Sequence, residues 1–138
     1  MTKSINNNQL AITNILFMGS DSNPLAEKSY AFALKVVKLY KEIIRKEKEF
    51  VISKQLLRAG TSIGANVSEA NGAISKADFS AKISVAYKES LETKYWLHLL
   101  KDSDYISSIE ADKLIAEADE LSKIMFSILK TTRINNPK

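Results

Sequence analysis

The sequence predicts an all-α protein, an antiparallel up-down bundle of four helices, and three observations carry that prediction. Apolar residues recur at helical spacing in four successive segments. Four Gly and two Pro are too few turn formers for a many-stranded sandwich or barrel, which turns about every 8 to 12 residues. The connectors, at residues 50–52, 73–74 and 103–106, are short, so consecutive helices are expected to lie side by side and antiparallel.

Residues 1–23 read as a polar, Asn- and Ser-rich lead-in, either disordered or laying Ile15, Leu16 and Phe17 on a neighbour. The longest apolar stretch there, Leu10 to Met18, is interrupted by Thr13 and Asn14 and falls short of the roughly 20 residues of a membrane helix. Lys3 and that stretch imitate a secretory leader only weakly, because Asn6, Asn7 and Asn8 stand between them. A cytoplasmic protein with no membrane partner is the expectation.

The first helix is expected over residues 24–49, opened by Asn23 as a cap and Pro24 at the first helical position. At about 100° per residue, Phe32, Ala33, Val36, Leu39, Tyr40, Ile43 and Ile44 share a core-facing arc. Lys38, Lys41, Arg45 and Lys48 share another, a basic stripe of roughly 15 Å. The N-terminal half of the same helix differs, since Tyr30, Leu34 and Val37 form a second apolar surface on the side that becomes basic further along.

The second helix, residues 53–72, aligns Leu56, Gly60, Ile63, Gly64, Val67 and Ala70. A mid-helix glycine costs up to about 1 kcal/mol relative to Ala, so Gly60 and Gly64 predict close approach of another backbone, with a kinked or mobile helix as the alternative. A phosphate-binding loop is the weaker reading, because no lysine follows the second glycine. Ser75 and Asp78 form a capping box for a third helix reaching about residue 102, with Phe79, Ile83, Ala86, Tyr87, Ser90, Leu97 and Leu100 on one side. A second seam on it runs Val85, Glu89, Glu92, Trp96, Leu99. Ser107 and Glu110 open the fourth helix, whose arc includes Ala111, Leu114, Ala118, Leu121, Met125 and Ile128. The bundle is thus placed at residues 24–130 and a frayed polar tail at 131–138.

The absence of Cys and the presence of one His disfavour thiolate metal sites, cysteine nucleophiles and histidine bases. Glu89 and Glu92 do not fit a di-iron site, which needs Glu-x-x-His; three residues before His98 stands Tyr95. They are expected to pair with Arg58 or a nearby lysine, and no metal, cofactor or catalytic residue is assigned. His98 is given no role. A net charge of +4 suggests an acidic partner. The basic stripe either contacts nucleic-acid phosphates or is a solvated face supported by ion pairs such as Glu42 with Lys46. Tyr95 and Trp96 read as packing residues, with base stacking the alternative.

The run Gln55-Leu-Leu-Arg-Ala-Gly-Thr-Ser-Ile-Gly-Ala-Asn-Val-Ser-Glu-Ala70, then Asp78-Phe79, then Lys88-Glu-Ser-Leu-Glu-Thr-Lys-Tyr-Trp-Leu97 carries a family resemblance over about residues 30–129. It resembles the four-helix bundle proteins encoded in intervening sequences of bacterial 23S ribosomal RNA genes. The resemblance implies a bundle without catalytic activity or cofactor, usually a homopentamer, for which nucleic-acid binding has been proposed. It implies framework roles for Arg58, Glu69, Glu89 and Glu92, and fits a close contact at Gly60 and Gly64. An accessory protein of diversity-generating retroelements, which is basic and works with a reverse transcriptase and nucleic acid, is similar in fold. The resulting expectation is a non-enzymatic oligomer that binds RNA or DNA through Lys38, Lys41, Arg45 and Lys48. Its subunits would be joined through Tyr30, Leu34, Val37 and Trp96. A protein-interaction scaffold is the alternative.

Overall fold

The structure, a computed structural model, describes residues 23–135. Of the lead-in expected at residues 1–23 only Asn23 is among them, and the last three residues of the expected tail also lie outside. Four helices follow in order: α1 (Pro24–Lys46), α2 (Ile52–Asn71), α3 (Lys76–Asp102) and α4 (Ser108–Asn135).

Local chemistry sets where each begins. Asn23 Oδ1 accepts from the Ala26 amide at 3.1 Å, and Pro24 takes a position whose missing N–H costs nothing. Ser75 Oγ accepts from the Asp78 amide at 3.0 Å, while the Asp78 carboxylate accepts from Ile74, one residue earlier than a standard capping box would have it. Ser107 Oγ accepts from Glu110 N–H at 3.1 Å at the start of α4. The start of α2 is different: Val51 offers no side-chain cap, and the Glu49 carboxylate instead accepts from the amides of Val51, Ile52 and Ser53 at 2.9, 2.8 and 2.7 Å. That use of Glu49 explains why α1 stops at Lys46 rather than at residue 49. Lys48 turns the chain in the left-handed region at φ 55, bringing Glu49 round to the next helix. At the other end α4 continues through Thr131 and Thr132, whose hydroxyls donate to the Ser127 and Ile128 carbonyls, as far as Asn135.

Cross-helix partners show the direction of each pair, because one residue number falls as the other rises. Arg58 meets Glu92 and Glu69 meets Lys82 between α2 and α3; Lys94 meets Asp119 and Lys101 meets Asp112 between α3 and α4. The α1–α4 seam, closed by Lys28–Glu120 at 2.7 Å and Lys35–Glu117 at 2.8 Å, is the most open. Phe32, Leu39, Leu56, Ile63, Ile83, Leu97, Leu121 and Met125 fill the centre. The buried hydroxyls of Ser90 and Ser122 satisfy each other there at 2.7 Å. α2 turns both of its mid-helix glycines toward α1. A Cβ built on Gly60 would lie 2.8 Å from Val36 Cγ2, and one on Gly64 would lie 3.3 Å from the Ser29 carbonyl oxygen.

Candidate functional site

The outward face of α1 changes chemistry along its length. In its C-terminal half Lys38, Lys41 and Arg45 are exposed, and none meets a carboxylate among the described residues. The lysines nearer the N-terminus of α1 behave differently, Lys28 and Lys35 each reaching a glutamate of α4. The Glu42–Lys46 pair that would have neutralised part of this surface does not form among the described residues. Lys48 is not on the stripe: it lies beyond the last turn of α1, exposed in the loop, so the helical row is Lys38, Lys41, Arg45, about 10 Å long at 1.5 Å per residue. Beside the row, an open groove of about 550 Å³ between α1 and α4 is lined by Lys35, Lys38, Glu42, Ile109, Lys113 and Glu117.

A separate charged group sits on the α2–α3 side. Arg58 lies between Glu89, at 3.3 Å, and Glu92, one turn apart on α3, and Trp96 Nε1 donates to Glu92 Oε2 at 3.0 Å. The indole hydrogen bond first, and Arg58 second, hold the Glu92 carboxyl below the usual carboxylate range against the cost of desolvation. The hydrogen bond to Glu92 likewise raises Arg58 above its ordinary value. Glu69 pairs with Lys82 at 2.8 Å, one end of the same seam. These groups satisfy one another, which is the chemistry of a helix contact. His98 is exposed.

The apolar candidates divide. Tyr30 is 66% and Leu34 55% exposed, Val37 is half-buried, and beside them a groove of about 430 Å³ runs between α1 and α2 past Ala33, Gly64 and Ala65. Trp96 is half-buried, its N–H engaged by Glu92 and its ring met edge-on by Tyr95 at 4.9 Å, so its geometry is that of a packed residue. Sequence reasoning missed the α1–α2 loop, where Glu49 fixes the backbone and Phe50 and Val51 face solvent. The available signal was Glu49 four residues ahead of Ser53, a capping arrangement hidden by reading the first helix through residue 49.

No helix among the described residues is long and apolar enough to cross a membrane. Comparison with known proteins returns no match among curated proteins. A solved crystal structure of a protein of unknown function from the S23 ribosomal protein family, from Bacteroides thetaiotaomicron, is similar at 46% identity and a TM-score of 0.76, covering 77% of this chain and 98% of that one. The 23S rRNA-intervening sequence protein family matches residues 22–127, across all four helices, and the chain belongs to that family.

Proposed function

We propose that the protein is a non-enzymatic, self-associating bundle of the bacterial cytoplasm that binds RNA or DNA through phosphate contacts from Lys38, Lys41 and Arg45. The observation that carries this reading is their lack of carboxylate partners among the described residues, on a helix whose lysines nearer the N-terminus, Lys28 and Lys35, are paired with glutamates of α4. Cations held in a row on a rigid helix meet phosphates without first breaking an ion pair, and the counterions released drive binding. Self-association supports it further, since each copy adds a row and the modest charge of one chain becomes a repeated field. The exposed Tyr30 and Leu34 are the surface for that contact, and the family resemblance supplies the pentamer as its expected size.

Fluorescence anisotropy of labelled structured RNA and duplex DNA, at low and moderate salt, tests the reading. Wild type should bind more weakly as salt rises, and Lys41→Glu with Arg45→Glu should reduce the salt slope by about 1 for each phosphate no longer neutralised. Equal affinity in a folded double variant would remove the row from the mechanism. The exposed Tyr30–Leu34 face also favours a second reading, a scaffold docking another protein. Nuclease-treated pull-downs that retain a protein partner, with no nucleic-acid binding at low salt, would select it.

A further inference from the structure

The loop joining α1 to α2 is fixed in place from both ends. Lys48 reverses the chain at φ 55, the Glu49 carboxylate accepts from three successive amides, and the Ser53 hydroxyl donates to the Glu49 carbonyl at 2.7 Å. A backbone held this way gives its side chains little freedom to withdraw, and Phe50 is nevertheless 57% exposed and Val51 73%. The cations flanking this aromatic in sequence, Arg45, Lys46, Lys48 and Lys54, are all exposed and meet no carboxylate among the described residues. Glu47 stays in solvent beside them, but Glu49 is committed to the backbone.

An exposed aromatic with these four unpaired cations within five residues of it in sequence matches a ligand that has both a flat apolar face and a negative charge at short range. A nucleotide offers both. In a duplex the base faces are covered by their neighbours, so only an unpaired base can lie on Phe50 while its phosphate meets Lys48 or Arg45. We infer that the α1–α2 loop is a stacking platform for unpaired nucleotides and that the protein takes single-stranded or looped nucleic acid in preference to duplex. This rests on the phosphate-binding reading above and adds to it the class of ligand.

The test compares labelled oligo(U) with the same strand annealed to oligo(A), using the full chain and three variants at one position. Phe50→Ala should weaken oligo(U) binding about tenfold or more, within the range for losing one base–aromatic stack, and leave the duplex affinity unchanged. Phe50→Tyr should retain binding, and Phe50→Leu, which keeps apolar bulk without the π face, should fall with Phe50→Ala. Thermal melts and oligomer mass accompany each variant. Equal oligo(U) affinity in all three overturns the platform while leaving phosphate binding intact, and so does a fall in oligomer mass on Phe50→Ala, which would assign Phe50 to a contact between copies. Failure of wild type to bind either probe at low salt overturns both readings together.

Discussion

The Glu49 carboxylate takes up three backbone amides that the start of α2 would otherwise leave without partners, a task no side chain at Val51 can perform. Partial burial raises its pKa, but the amides of Ile52, Ser53 and Val51 together outweigh that and hold the carboxyl below its ordinary value. A carboxyl with a depressed folded-state pKa stabilises the fold above its unfolded value of about 4.3, and that contribution disappears as pH falls through the folded value. Glu49→Ala should therefore cost about 1 to 2 kcal/mol near pH 7, the upper part of the range for removing a cap, with the difference shrinking in acid. Urea unfolding of both proteins across that pH range measures it; a constant difference at all pH values would mean that the loss is packing rather than the ionised cap. The Arg58 group contrasts with this. Arg58 is half-exposed, so its pairs contribute no more than about 1 kcal/mol each, and they align α2 with α3 more than they stabilise it.

At the level of the helix pair, Gly60 decides how close α1 and α2 come. A methyl group there would sit 2.8 and 2.9 Å from the two γ-carbons of Val36, a buried β-branched side chain with little rotamer freedom to retreat. Gly60→Ala should destabilise by about 1 to 3 kcal/mol, because overpacking exceeds the roughly 1 kcal/mol that alanine gains in helix propensity. Gly64→Ala should cost less, since its Cβ would come no nearer than 3.3 Å to Ser29, at the carbonyl oxygen. A double-mutant cycle with Val36→Ala checks the cause: removing the valine methyls should recover much of the Gly60→Ala loss, and strict additivity would place the strain elsewhere. Gly60 was legible because a glycine inside an apolar helical stripe has few reasons to be there. The helices were legible for a similar reason, with caps at Asn23, Ser75 and Ser107 preceding long periodic arcs. The α1–α2 loop was not. Its cap comes from a glutamate that fits the helical pattern before it, and local spacing does not reveal that Lys48 leaves the helix.

Across the whole molecule, the apolar and basic parts of α1 belong to one surface: Tyr30, Leu34, Val37 and Lys41 follow one another at helical spacing along its outward side. A second copy covering the apolar half would hold the basic half at the rim of the contact, and every added subunit would bring another Lys38–Lys41–Arg45 row to the same ligand. Association and nucleic-acid binding are then coupled by effective concentration, with no residue shared between them. Leu34→Glu separates the two. Leu34 is 55% exposed, so the change should alter the stability of the isolated bundle by no more than about 0.5 kcal/mol, and helicity should be preserved. Sedimentation should show a fall to monomer, and anisotropy a loss of RNA affinity of about a hundredfold or more as the rows cease to act together. An unchanged mass would remove the Tyr30–Leu34 face as the contact between copies. A monomer that kept the wild-type affinity would show that a single α1 row, with no help from its neighbours, accounts for binding.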